Sequence, residues 1–174
     1  MKKFYFLIML FSILNASSNP VGVKFPTIKG ISLSEKSVTF PDDLNNRVSV
    51  LSVAFKQQAQ YCINSWADEF LKNYGLNQSV LYYEIPMLGA QWKMARNWID
   101  GGMRGGVPKP LHDFTVTYYG PLKKYYKSLG INDKSDCYIY VLDKEGIVQG
   151  YFQGYSKPET IKDFFKLIDS LNDQ

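Results

Sequence analysis

The pattern that most restricts the fold lies between residues 48 and 87. Residues Val48–Phe55, VSVLSVAF, form a nearly continuous apolar run, which is typical of a central strand buried on both faces. Apolar residues then recur at helical spacing until Gly75, at positions Ala59, Cys62, Ile63, Trp66 and Phe70. A second strand, SVLYYEIPM, follows directly. This strand–helix–strand order favours a parallel pair joined by a right-handed crossover.

The middle of the chain predicts a second helix and a loop. Residues 88–100, LGAQWKMARNWID, have helical spacing that places Trp92, Ala95 and Ile99 inward. The next ten residues, GGMRGGVPKP, contain four glycines and two prolines and predict a flexible loop. A strand, DFTVTYY, and a short helix, GPLKKYYKSLGI, come after that loop.

The end of the chain predicts a hairpin and a terminal helix. The run CYIYVLDKEGIVQGYFQGY reads as two strands joined by a tight DKEG turn. Ser156 and Glu159 fit a capping box at the start of the last helix. Short β-rich pieces at 23–31 and 37–40 predict an N-terminal β extension. Together these elements predict a three-layer α/β sandwich with a mixed central sheet.

The first residues have the form of a secretory signal peptide. Two lysines precede the apolar run Phe4–Leu14, and small residues follow it. We therefore expect a signal peptide at 1–18, a single domain at 19–174, and export to the periplasm or the outer face of the cytoplasmic membrane. The run is shorter than the roughly 20 residues that span a bilayer. An uncleaved membrane anchor is the alternative.

Charge and composition exclude several classes of function. The chain has 20 basic and 16 acidic residues, a net charge of +4. These charges are scattered in both signs, so no nucleic-acid footprint is present. A single histidine and two cysteines without a cysteine–histidine cluster do not support a zinc site. We expect neither a metal nor a cofactor.

The order of elements resembles a thioredoxin-like domain. The lead-in FPTIKGISLSEKSVTFPDDL is similar to that of peroxiredoxins and exported thioredoxins, and YIYVLDKEGIV is similar to their late hairpin. The resemblance implies a redox site at the turn FKQQAQYC. A dithiol site needs two cysteines at the start of the helix, but Gln58 and Tyr61 occupy those positions. The usual dithiol mechanism is therefore absent.

Two roles remain for Cys62 within this resemblance. Peroxidase chemistry would need a nearby Thr or Ser before the cysteine, and none lies between Phe55 and Cys62. Aligning the late hairpin places Cys137 where thioredoxin-like folds have a cis-proline, close to the first helix. A Cys62–Cys137 disulfide is thus implied as one alternative, and an inert buried thiol is the other.

A narrower resemblance is to the ATP synthase assembly factors known as ATPase complex subunit ten. It is carried by FPDDL, VSVLSVAFKQQAQ, YEIPML and YYGPLKKYYKSLGI, and by CYIYVLDKEGIVQGYFQGYSKPETI. That family also has an SVAF strand without a C-x-x-C motif after it. The secretory signal departs from the mitochondrial signal usual in the family, which affects the partner more than the fold.

The family resemblance implies a binding protein and leaves an enzyme as the alternative. We expect a non-catalytic, redox-inactive assembly or chaperone-like factor whose partner is a membrane protein subunit or an exported polypeptide. Tyr61, Gln58, Trp92 and Trp98 are the candidate peptide-binding surface. The alternative is a thiol-disulfide oxidoreductase or peroxiredoxin-like enzyme that uses Cys62 with Cys137.

Overall fold

The computed structural model describes residues 19–76 and 79–173. The predicted signal peptide, residues 1–18, lies outside the described residues. The elements in chain order are β1 (Ile28–Ser32), β2 (Ser37–Phe40), β3 (Ser49–Ala54), α1 (Gln60–Tyr74), β4 (Leu81–Gly89), α2 (Arg96–Gly106), β5 (Val116–Gly120), α3 (Lys123–Ser128), β6 (Cys137–Leu142), β7 (Val148–Gln153) and α4 (Pro158–Asn172). Within this described part, no helix has the length and apolar character needed to cross a membrane.

All seven strands form one sheet in the order β2-β1-β5-β4-β3-β6-β7. Strands β3, β4 and β5 run parallel, and β6 and β7 form an antiparallel hairpin beside β3. Every residue of β3 is buried because both neighbours and both faces cover it. The predicted mixed sheet and the predicted central strand are confirmed.

The N-terminal β extension is part of the sheet. Strand β1 pairs with β2 on one side and with β5 on the other. Phe25 and Phe40 bury their rings in the same cluster as the inner residues of β3 and β6. The Phe25 N–H also donates to the Gly146 carbonyl oxygen at 2.9 Å, in the turn between β6 and β7. The extension therefore completes the core.

The helices cover the two faces of the sheet. Helices α1 and α4 share one apolar cluster with Val50, Ile139 and Val141. Helix α3 packs on the opposite face through Tyr125 and Leu129. The predicted layers follow from the alternation of side chains along β3 and β6, whose successive residues enter the two clusters in turn.

The predicted loop after residue 100 is wrong in its first part, because residues 101–106 belong to helix α2. The glycine-rich sequence GGMRGG is helical as far as Gly106, and residues 90–95 before it form a 3-10 segment. Trp92, predicted to face inward, is half exposed. Glycine disfavours helix, but side-chain contacts with the rest of the fold hold α2 in place. Arg104, for example, donates to the Leu33 carbonyl oxygen, just after β1, at 2.8 Å.

The predicted capping box at the last helix is wrong. Helix α4 begins at Pro158, and the Lys157 N–H donates to Thr160 Oγ1 at 2.9 Å. The Ser156 hydroxyl instead donates to the Ser65 carbonyl oxygen at 2.9 Å, and its N–H donates to Ser65 Oγ at 3.0 Å. Ser156 is used to fasten the end of the hairpin to α1, so it is not available to cap α4.

Trp66 holds α1, β7 and α4 together. Its indole N–H donates to the Gly154 carbonyl oxygen at 2.7 Å, and its ring packs against Phe152 and Phe164. We expect Trp66→Phe to lower the free energy of unfolding by about 2–3 kcal/mol, through the lost hydrogen bond and the smaller ring. Trp98→Phe, at a highly exposed position, is the matched control and should change it by less than about 0.5 kcal/mol. Urea unfolding followed by far-UV circular dichroism measures both, and equal losses would contradict this role.

Candidate functional site

The turn between β3 and α1 presents polar side chains in place of thiols. Residues Gln57–Ala59 form one 3-10 turn, and α1 begins at Gln60. Gln57 and Gln58 are exposed, and Tyr61 is 74% exposed. Gln58 in the turn and Tyr61 at the start of α1, two members of the candidate peptide-binding surface, are thus both exposed.

Cys62 and Cys137 are joined in a disulfide. Cys62 is the third residue of α1 and faces the sheet, and Cys137 is the first residue of β6, where it pairs with Ala54 at the end of β3. Their Cα atoms are 5.9 Å apart. Cys62 is 2% exposed and Cys137 is fully buried. The bond therefore fastens the start of α1 to the sheet from inside the core.

Three groups surround the disulfide. Asp136 Oδ1 lies 3.7 Å from Cys62 Sγ and accepts the Cys137 N–H at 3.0 Å. Gln153 Nε2 donates to the other oxygen of Asp136 at 3.0 Å. The Gly154 carbonyl oxygen lies 3.6 Å from Cys137 Sγ and also accepts from Trp66. These contacts close the sulfurs off from the outside.

These surroundings suit a structural bond better than a nucleophilic thiol. If the bond were reduced, the Cys62 thiol would have Asp136 Oδ1 as a hydrogen-bond acceptor. The same carboxylate would oppose negative charge on the Cys62 sulfur, which a thiolate nucleophile needs. The two sulfurs and one Asp136 oxygen lie within 4.8 Å of one another. While the sulfurs are bridged, however, they offer no thiolate to a metal ion.

The exposed aromatic residues gather at one edge of the sheet. Strands β3, β4 and β7 all end at this edge, because β3 and β4 are parallel and β7 is antiparallel to β6. Tyr61 follows β3, whereas Trp92 follows β4 and Trp98 lies in the first turn of α2. Two further exposed apolar side chains, which the sequence reasoning missed, are Met94 and Tyr155.

A buried carboxylate beneath α2 was also missed. Asp100 accepts from the Tyr119 hydroxyl at 2.7 Å and from Arg96 Nε at 3.0 Å. Burial, followed by the hydrogen bond to Asp100, raises the pKa of Tyr119. The helical spacing of Arg96 and Asp100 could have suggested the ion pair. Nothing in the sequence indicates that it would face the sheet.

An apolar cleft lies between α1 and β4. Its lining includes Phe70, Leu71, Val80, Tyr82, Leu111 and Phe114. Glu84 also lines the cleft and accepts from Gln60 Nε2 at 3.2 Å. Burial raises the pKa of Glu84, the Gln60 hydrogen bond works against that rise, and the charge of Asp68 adds to it.

A family model described as ATP10 protein matches residues 21–171, which include every described strand and helix except the last residue of α4. The chain belongs to the ATP10 protein family. No curated protein matches the sequence of this family member.

Solved structures similar to this ATP10 family member show a thioredoxin-like fold. One is BsSco, of the Sco family of cytochrome c oxidase assembly proteins, with a TM-score of 0.62, 11% identity, and coverage of 89% of this chain and 96% of that one. Another is a putative thiol:disulfide interchange protein DsbE from Chlorobium tepidum, with a TM-score of 0.56, 15% identity, and coverage of 87% and 97%. At such identities the likeness concerns the fold. It confirms the predicted thioredoxin-like architecture.

The disulfide should account for a measurable share of the stability of this ATP10 family member. Removing a bond between residues 75 positions apart frees the unfolded chain. We expect Cys62→Ala with Cys137→Ala to lower the free energy of unfolding by about 2–4 kcal/mol in urea. Intact-mass alkylation in denaturant should find no thiol before reduction and two after it, since the sequence has two cysteines. Two alkylated thiols before reduction would contradict the bond.

Glu84 should make the protein less stable as the pH rises. A raised pKa means that the folded state holds the proton more tightly, so stability falls as the pH rises from the unfolded pKa of about 4.3 to the folded pKa. Above the folded pKa, the full free-energy cost of keeping the charged Glu84 carboxylate in the cleft remains. We expect Glu84→Gln to raise the melting temperature at pH 7 and to have little effect below about pH 4. Glu145→Gln, in the exposed turn between β6 and β7, is the control. An unchanged or lower melting temperature for Glu84→Gln at pH 7 would refute the effect.

Proposed function

We propose that this ATP10 family member is an exported, non-catalytic assembly factor that binds a membrane protein subunit, by resemblance a subunit of an ATP synthase. The family supports the role in assembly. The export and the position at the outer face of a membrane are supported by the signal-peptide pattern of residues 1–18. Binding without redox chemistry is supported by the site.

The observation that carries the proposal is the placement of the sulfur atoms. The chain has two cysteines, and both lie in the buried disulfide. A thiol enzyme needs a sulfur that a substrate can reach. Here the accessible part of the turn carries Gln57, Gln58 and Tyr61. These groups donate and accept hydrogen bonds but do not exchange disulfides.

The same turn is suited to hold a polypeptide. Tyr61 combines an apolar ring with a hydroxyl group, and the glutamine amides beside it can pair with the backbone of an extended chain. The tyrosine side chain loses little conformational freedom for the area it buries, which is why tyrosine is enriched at interfaces. We therefore assign the contact with the partner subunit to Gln58 and Tyr61.

A second candidate is a thiol-disulfide oxidoreductase. The closeness of Cys62 and Cys137 favours it, because the two sulfurs form a ready redox pair. Exchange with a substrate would require the buried bond to become accessible, by movement of Asp136 and Gly154, whose oxygen atoms contact the two sulfurs. The two candidates differ in one requirement: the enzyme needs its cysteines and the assembly factor does not.

Complementation separates the two candidates. In cells lacking their own copy, we expect the Cys62→Ala, Cys137→Ala double variant to restore assembled ATP synthase, measured on native gels, at a temperature well below its melting point. Tyr61→Ala with Gln58→Ala should reduce assembly without a loss of stability, because it alters only the exposed turn. Val23→Ala, at another exposed apolar position, is the control.

One result would reverse the assignment. If the cysteine double variant were folded and exported but failed to support assembly, the non-catalytic role would be wrong and the oxidoreductase favoured.

A further inference from the structure

Helix α2 buries a charged side chain and exposes a large apolar one, while its other large apolar residues, Ile99 and Met103, are partly buried. A surface helix normally buries its apolar residues and exposes its charged ones. In α2 the only fully buried side chain is Asp100, at 1% exposure, whereas Trp98 is 81% exposed. The side of α2 that meets the sheet is held by the polar contacts of Arg96, Asp100 and Arg104.

The orientation of α2 is fixed by these contacts. Asp100 accepts from Tyr119 and Arg96, and Thr117 Oγ1 lies 3.5 Å from its Oδ2 atom. A carboxylate can be buried only if such partners compensate its lost hydration. Rolling the helix to hide Trp98 would break every one of them. The side of α2 that carries Trp98 is therefore held outward by the fold.

Large exposed apolar side chains are concentrated in the first turn of α2 and in the 3-10 segment before it. We call residues 90–106, the 3-10 segment with α2, the tryptophan segment. Within seven consecutive residues it exposes Trp92 by 50%, Trp98 by 81% and Met94 completely. Tryptophan favours the boundary between lipid headgroups and hydrocarbon, because its ring is apolar and its N–H is polar.

The charge of the tryptophan segment is positive. It contains Lys93, Arg96 and Arg104, and its one acid, Asp100, is buried, which gives 3 − 1 = +2. Glu35 approaches Arg104 at 3.4 Å, at the end of α2 away from the tryptophans. Lys93 is exposed and lies between Trp92 and Met94 in the sequence. The exposed apolar groups thus have a cation among them and no exposed acid within the segment.

Further lysines lie at the edge of the sheet where the tryptophan segment begins. Lys56 follows β3 at this edge, and its Nζ atom donates to Ser135 Oγ at 3.0 Å just before β6. Lys123 and Lys124 open α3 directly after β5. Three acids, Asp133, Asp136 and Glu159, are also near this edge, and the first two accept backbone N–H groups. The edge is basic around an apolar projection, which complements an anionic surface.

We propose that the tryptophan segment docks on the surface of an anionic lipid bilayer, with Trp92, Met94 and Trp98 in the headgroup region and Lys93 among the lipid phosphates. We favour a bilayer over an apolar protein surface because a bilayer offers both kinds of contact. Its phosphate groups can bind the lysines, and the hydrocarbon beneath them can receive the tryptophan rings. This inference goes beyond the proposed function. Lipid docking can fail while assembly activity remains, and the reverse also holds.

Tryptophan fluorescence tests the docking directly. The full chain is mixed with vesicles of phosphatidylcholine, with or without phosphatidylglycerol, whose acyl chains carry bromine as a quencher. The chain has three tryptophans; Trp66 is buried, and residues 1–18 contain none. Quenching therefore reports on Trp92 and Trp98 even if the N-terminus also binds lipid.

We expect a blue shift and quenching with the anionic vesicles, both reduced by high salt. Lys93→Gln should weaken partitioning about fivefold, the effect of one cation near the surface. Trp98→Ala should weaken it several-fold and reduce the quenching. Leu76→Ala is the control. Leu76 has the same exposed fraction as Trp92, but it lies just beyond the C-terminal end of α1. Circular dichroism confirms that each variant is folded.

Two outcomes would overturn the proposal. The first is the absence of tryptophan quenching with anionic vesicles at low salt, whether or not the protein sediments with them. The second is a fluorescence shift that appears only with a detergent-solubilised ATP synthase membrane subunit and never with lipid alone. That result would assign the tryptophan segment to a protein partner.

Discussion

The burial of β3 on both faces is the constraint on which the rest of the structure depends. Each of its six residues is buried, and it pairs with β4 on one side and β6 on the other. Because β3 is central, the turn that follows it lies in the middle of one edge of the sheet. That edge receives the ends of β4 and β7 and the start of β6. The candidate site is built from the loops that meet there.

The disulfide uses this arrangement in an unusual way. In a thioredoxin-like redox site the sulfur faces outward at the turn, but here Cys62 is inside the first turn of α1 and bonds to the sheet. The pairing of Ala54 with Cys137 places Cys137 beside the end of β3, within reach of Cys62, and both cysteines are buried. The bond joins the first turn of α1 to the first residue of the β6–β7 hairpin. The accessible surface of the turn is left to glutamines and Tyr61.

Helix α2 breaks the local rules that the rest of the chain follows. It contains four glycines and buries the carboxylate of Asp100. Together with the 3-10 segment before it, it also exposes two tryptophans. Natural proteins break such rules mainly at functional sites, where the cost is offset elsewhere. Glu84, which lines an apolar cleft and has a raised pKa, is another such position. Glu84 contacts the start of α1 through Gln60, the neighbour of Tyr61 in the chain.

The sequence by itself determined the layers, the central strand and the hairpin, because apolar periodicity reports burial directly. It also showed that no dithiol exists at the turn, since that depends only on which residues are present. It did not determine the range or orientation of α2, because glycine content describes local preference, and the contacts of Asp100 and Arg104 with β5 and Leu33 override it. Nor did it settle whether Cys62 and Cys137 meet. Two residues so far apart in the chain become neighbours only through strand register, which is a property of the tertiary structure.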